Sequence, residues 1–304
     1  MRALLRLVAL TLAALLLVAC GGSKAPLKTP TSRLDVPFAF GAYVDPPAFD
    51  DASRIKAFET FEAQLGHRLD VYHSYHPWLE EFPSGADRFF AHRAGTRLLL
   101  SWAGTDTRVI VSGRYDALIR ARAKALKALR RPVILQWRWE MNRPNLAAEI
   151  HSPADYVAAW RHLHRIFDEV HADNVSWAWC PLSDPAADLN YSAYYPGDAW
   201  VDWIGANGYA RDPQQSFADV FASFLTWARG RPHPILIGEF GRRIHLGSDD
   251  SLVAWLKAAG ETLRATPSIK LVCYFESANG NTGNYDLTAV PSALEAVAGW
   301  GRPS

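Results

Sequence analysis

The sequence predicts an α/β fold, a single (β/α)8 TIM barrel, and three observations predict it. Eight apolar, strand-like runs recur along the 304-residue chain. Helical patterns occupy most of the gaps, so the repeat is close to one strand–helix unit of ~30 residues or more. The runs are continuously apolar, as strands buried on both faces of a parallel sheet are. An open dinucleotide-binding sheet is disfavoured, because no Gly-x-Gly-x-x-Gly follows the first run.

In order, the runs are Phe38–Asp45, Leu69–Tyr75, Arg97–Trp102, Pro132–Glu140, Asn174–Cys180, Val201–Tyr209, Pro234–Gly241 and Ile269–Ser277. Between the first two, Ile55, Phe58, Glu62 and Leu65 mark a helix closed by Gly66. Tyr115, Leu118, Ile119, Leu126 and Leu129 mark the helix before the fourth run. Ser152-Pro153-Ala154-Asp155 is a helix start: a cap, a proline in the first turn and an acid near the positive end of the dipole. Phe217 to Phe224 and Leu252 to Leu263 carry two more apolar stripes. Only Pro181 to Ala199 lacks a helical pattern and predicts a loop with a short turn.

Residues 1–20 read as a lipoprotein signal peptide. Arg2 and Arg6 precede an apolar run, Leu7–Ala19, that is short for a membrane span, and the run ends on Cys20, the expected site of lipidation. Residues 21–34 are small and polar and read as a flexible tether. Residues 35–304 then form the barrel, and the chain is expected outside the cytoplasm, anchored to a bacterial membrane by lipid on Cys20. A net charge of +1 disfavours nucleic acid as a partner. Cys180 and Cys273 lie in different runs and read as two buried thiols, a disulfide being the alternative. No residue set suggests a metal or other cofactor. No coiled-coil or docking segment appears, so a monomer is expected.

In a barrel of this kind, chemistry sits at the C-terminal ends of the strands. Those ends hold Tyr43 and Asp45, His73 and Tyr75, Trp102, Glu140, Trp179, Asn207 and Tyr209, Glu239 and Phe275. Strand alternation turns Gln136, Arg138 and Glu140 towards the axis and Leu135, Trp137 and Trp139 towards the helices. The same rule places Glu239 on one inward face with Ile235 and Ile237. An interior arginine needs an acid, so Arg138 is expected beneath the two glutamates as a partner of Glu239. Two carboxylates flanking a cleft without a metal are the equipment of a glycosidase. Trp102, Trp179 and Phe275 are either platforms for a sugar ring or core packing. Tyr43, Asp45, His73 and Tyr75 are candidates for hydrogen bonds to sugar hydroxyls, and the polar loop Ser277–Asp286 for a rim over the cleft.

At these residues the chain resembles glycoside hydrolase family 26. The resemblance runs through Gly113–Asn142, which ends on Glu-Met-Asn, then Trp177–Pro181, Tyr194–Tyr209, Ile235–Gly241 and Leu271–Ser277. It implies a retaining endo-β-glycosidase with Glu140 as general acid/base, Glu239 as nucleophile and Tyr209 hydrogen-bonded to the nucleophile. Asn207 falls where the family often has an acid lining the cleft, and Asn142 of the Glu-Met-Asn motif is placed with the substrate-binding residues. The implied substrate is a β-linked polysaccharide: β-1,4-mannan first, then mixed-linkage β-glucan or β-1,3-xylan. Two departures bear on substrate. Trp139 stands where the family commonly has histidine, and Arg143-Pro144-Asn145-Leu146 replaces a loop rich in glycine and tryptophan. An envelope or matrix exopolysaccharide is therefore an alternative substrate, and a non-catalytic polysaccharide-binding lipoprotein an alternative function.

Overall fold

The computed structural model describes residues 38–280 and 283–301. The signal peptide, the lipidation site Cys20 and the tether lie outside the described residues.

Eight parallel strands close into a barrel in sequence order. They are β1 (Ala39–Val44), β2 (Val71–His76), β3 (Arg97–Trp102), β4 (Val133–Trp137), β5 (Val175–Trp179), β6 (Trp203–Ala210), β7 (Ile235–Arg242) and β8 (Ile269–Glu276). The ring is closed by β1 and β8, which pair from Ala39 opposite Leu271 to Val44 opposite Glu276. Each strand matches a run read from the sequence, but β4 stops three residues short of Glu140. Two register shifts interrupt the ladder beside Glu239. One lies between Ala206 and Asn207 in the β6–β7 pairing, the other between Ile237 and Phe240 in the β7–β8 pairing.

The helices begin and end where local chemistry directs. The first, Asp51–Leu65, is capped by the Asp50 carboxylate and closes on Gly66 at φ 73°, a left-handed backbone that glycine adopts without a Cβ penalty. Ser152 Oγ accepts the Asp155 amide to start Pro153–Val170. Asp116–Leu129, Phe217–Ala228 and Asp249–Ala265 supply the other long stripes. Between β5 and β6 there is one helical turn, Tyr191–Tyr194, and a 3-10 turn, Asp198–Trp200. Among the described residues no helix is long and apolar enough to cross a membrane.

Two apolar layers result. A small inner plug of Ala39, Val71, Leu99, Ile134, Ala178, Cys180, Leu236, Leu271 and Cys273 fills the bore, and both cysteines are free thiols within it. The larger layer lies between strands and helices and takes most of the aromatic mass. Trp137 stacks on Tyr156 there, ring centroids 5.5 Å apart. Trp102 is fully buried against Trp78 at 4.5 Å, its indole N–H donating to the Trp78 carbonyl. Trp179 is equally buried, against Tyr195 and Trp227. Trp102 and Trp179 are thus packing residues and not sugar platforms, because both occupy outward positions of their strands.

Candidate active site

At the C-terminal mouth of the barrel, Glu140 and Glu239 face one pit. Tyr43, Tyr75, Trp139, Arg143, Leu182, Tyr209, Arg211 and Phe275 complete its lining. Neither glutamate gets there by strand alternation. Past Trp137, Arg138 and Glu140 both take left-handed backbone, φ 47° and 54°. That conformation costs a non-glycine residue ~1–2 kcal/mol, and here the Glu140 amide donates to the Cys180 carbonyl at 2.8 Å, tying the loop to the end of β5. On β7, Leu236 belongs to the bore, while Ile235 and Ile237 face the helices. Strict alternation would send Glu239 outward as well, and the register shifts on both sides of the strand turn it back into the pit. The shared inward face with Ile235 and Ile237 is therefore corrected.

The Tyr209 hydroxyl donates a short hydrogen bond to Glu239 Oε2. The Tyr75 hydroxyl and the Asn207 amide also favour the Glu239 anion. Asn207 Nδ2 donates to Glu140 Oε1 at 3.3 Å, and its Oδ1 accepts the Cys180 thiol at 3.0 Å. Burial pushes the Cys180 thiol well up, so it stays a donor and orients the amide with its NH2 towards the acids. Gly238 leaves room for this arrangement: a Cβ there would lie 2.7 Å from Asn207 Oδ1 and 2.9 Å from Gln136 Oε1.

Both carboxyls are shifted up by burial. Glu239 rises to about 8, from burial first and the nearby charge of Glu140 second. Glu140 is raised by burial and held back by Arg143, whose Nη1 lies 2.9 Å from Glu140 Oε2. Two buried acids this close titrate as a pair, and near neutrality the pair keeps one proton. Among the described residues no three His, Cys, Asp or Glu side chains gather as a metal site.

The other residues singled out from the sequence fall into two groups. Tyr43 and Phe275 line the pit and stack on each other at 5.3 Å. Arg138 does not reach Glu239. Its guanidinium turns to the Gly104 carbonyl and pairs with Glu149, because the left-handed turn at its own backbone redirects the side chain. Asn142 is buried among backbone, taking the Leu182 amide and donating to the Leu182 and Asp188 carbonyls, so it holds the loop after β5 and does not meet substrate. His73 is buried with Nε2 2.7 Å from Ser101 Oγ, and burial lowers its pKa to about 3, leaving a neutral ring in the barrel interior. Asp45 accepts the Tyr43 and Ser277 hydroxyls and lines an adjacent groove with Ser277, Ala278 and Asn279. The described part of the Ser277–Asp286 loop thus edges that groove and not the pit.

The sequence reading turns Trp139 away from the cleft, names Arg143 only as part of a loop that departs from the resembled family, and does not single out Arg211. Trp139 lines the pit 5.1 Å from the Tyr75 ring, since it sits between the two left-handed residues. Arg143 carried a signal in the sequence: a cation three residues after the acid, where small and aromatic residues are usual in the resembled family.

Residues 96–234 match the sequence profile of Glycosyl hydrolase family 26. Endoglucanase H of Acetivibrio thermocellus is 26% identical over 259 residues, which is 79% of this chain and 28% of that protein. A beta-1,3-xylanase of a Vibrio species is 32% identical over 132 residues, 43% of this chain and 28% of that protein. The chain thus spans less than a third of the length of these relatives. Among solved structures, a GH26 beta-mannanase from Bacteroides ovatus superposes with a TM-score of 0.64 at 16% identity, covering 86% of this chain and 87% of that one. GH26C from a Muricauda species gives 0.63 at 14% identity, covering 87% and 86%. The profile match takes in Glu140, and with the closed barrel and its two acids at the mouth it makes the chain similar to glycosyl hydrolase family 26 over the middle of its length.

Proposed function

We propose that the protein is a retaining endo-β-glycosidase acting on a β-linked polysaccharide. The observation that carries this reading is the pair of buried carboxyls lining one pit, with Asn207 hydrogen-bonded to Glu140 and favouring the Glu239 anion. A retaining enzyme needs its two carboxyls about 5–5.5 Å apart, and one amide acting on both is an arrangement of short span. Glu239, with the Tyr209 hydroxyl donating to it, attacks the anomeric carbon as the carboxylate. Glu140 protonates the departing glycosidic oxygen as that bond breaks. Water then gives its proton to Glu140 and its hydroxyl to the anomeric carbon, freeing Glu239.

β-1,4-mannan is the first substrate to try, with mixed-linkage β-glucan and β-1,3-xylan next. The names of the endoglucanase and the beta-1,3-xylanase above support trying glucan and xylan, and mannan rests on the family resemblance. Glu239→Ala abolishes release of reducing sugar on this reading. Glu140→Ala is rescued by azide on a substrate with an activated leaving group, giving a β-glycosyl azide. Wild-type turnover by both variants would discard the mechanism. We propose further that Cys20 is lipidated and that the barrel is carried at a membrane. Cys20→Ala would then release the protein from the membrane fraction, and retention there would count against the anchor.

A further inference from the structure

The Glu140 side of the pit carries an unusual charge. Arg143 sits on the acid itself, its side chain about a third exposed. Arg211, just past the end of β6, also lines the pit and acts on Glu140 as a positive charge. It is held from behind by Asp184, a buried carboxylate at 3.1 Å that is not part of the lining. The Arg143 amide donates to the Glu140 carbonyl at 3.0 Å and Pro144 opens a 3-10 turn immediately after it, so the base of the side chain is fixed. Glu239 meets none of this: its neighbours are Glu140, two tyrosine hydroxyls and an amide.

Two guanidinium groups beside a general acid work against its function, because they favour the ionised form when the protonated one is needed. A neutral glycan leaves that conflict in place. An anionic one removes it. We propose that the cleft is built for an acidic β-glycan, with a carboxylate-bearing sugar on the leaving-group side of the cleaved bond docked against Arg143 and Arg211.

This rests on the glycosidase reading of the same pit. Planar guanidinium forks match a carboxylate in two-point contact. Docking draws Arg143 from Glu140 and leaves the acid buried beside two negative charges, the sugar carboxylate and Glu239. Glu140 then takes a proton from solvent and passes it to the glycosidic oxygen. The remaining titratable groups facing it are neutral donors, the Tyr209 hydroxyl and the Cys180 thiol, and Asp184 stays engaged by Arg211. The substrate thus arms the acid that cleaves it, and Arg143 determines specificity.

The test compares β-1,4-mannan and β-1,4-glucan oligosaccharides with the same oligosaccharides oxidised at C6 to uronates. The expected kcat/KM is about tenfold to a hundredfold higher on the oxidised series, the scale of one or two charge-assisted hydrogen bonds. Added salt shrinks that ratio. Arg143→Gln brings it close to one, and Arg143→Lys restores part of it. Equal or poorer cleavage of the oxidised series, or an unchanged ratio in Arg143→Gln, overturns the inference and leaves the glycosidase reading intact. If the wild type cleaves neither series, the glycosidase reading fails on these backbones and calorimetric binding decides the inference. Tighter binding of the uronates that is lost in Arg143→Gln supports it, and equal or absent binding of the two series overturns it.

Discussion

Replacing Glu239 by Gln should make the protein more stable at alkaline pH while stopping catalysis. The carboxyl rises from 4.5 to about 8 on folding, through burial and then the charge of Glu140. The folded state therefore holds a proton that the unfolded chain has released between those values. Stability is greatest below pH 4.5 and is lost as pH climbs towards 8. At ~1.4 kcal/mol per pH unit, the rise sets a ceiling of roughly 5 kcal/mol. Screening at the mouth of an open pit lowers the working figure to ~2–3 kcal/mol. Glutamine copies the shape of the protonated acid, still accepts the Tyr209 hydroxyl and has no charge to bury. Wild type and Glu239→Gln should then unfold at similar temperatures at pH 5 and diverge by ~5–10 °C at pH 8, the variant higher. Thermal and urea unfolding at the two pH values measure this. A gap that does not widen with pH, or a variant less stable at pH 8, would refute the shared-proton account of the pit.

Three further outcomes follow from placements in the barrel. Trp102→Ala should cost about 3–5 kcal/mol of stability, the usual figure for an emptied tryptophan site, with KM unchanged on folded protein; a raised KM at unchanged melting temperature would return Trp102 to the substrate. Tyr209→Phe removes a donor from the Glu239 anion and should lower kcat and kcat/KM together by about ten- to a hundredfold; wild-type kcat would show that the hydroxyl does not act on Glu239 in the reaction. Gly238→Ala drives a methyl into Asn207 and Gln136 and should cost ~1–3 kcal/mol along with at least tenfold in activity, and an unaffected enzyme would mean that Asn207 does not align the acids.

The barrel is legible in the sequence because burial on both faces writes long apolar runs, and helix caps such as Ser152 write themselves as local residue types. The two glutamates are legible because strand-end acids in an aromatic setting are costly without a purpose. Their delivery is not. Alternation holds only while the ladder is regular, and it fails at Arg138, Trp139 and Glu140, where the backbone turns left-handed, and at Glu239, where the pairing slips. Hence alternation pairs Arg138 with the wrong acid and puts Trp139 on the wrong side. Trp102 and Trp179 mislead for the opposite reason: they obey alternation and point to the helices, and nearness to a strand end says nothing about which face a ring occupies. His73 and Asn142 show the same limit for polar residues. Their hydrogen bonds close on Ser101 and on loop backbone, partners that no local pattern announces.

The slipped pairing around β7 bears on attempts to move this chemistry elsewhere. A designer who copied Ile-Leu-Ile-Gly-Glu-Phe-Gly into an ideal eight-stranded scaffold would install a carboxylate under the helices, an uncompensated buried charge, and a hollow bore. The transferable unit is larger than the motif. It includes the offset of two neighbouring strands and the glycine that leaves room for Asn207 beside the acids. In this barrel the fault in the weave is what aims the reagent.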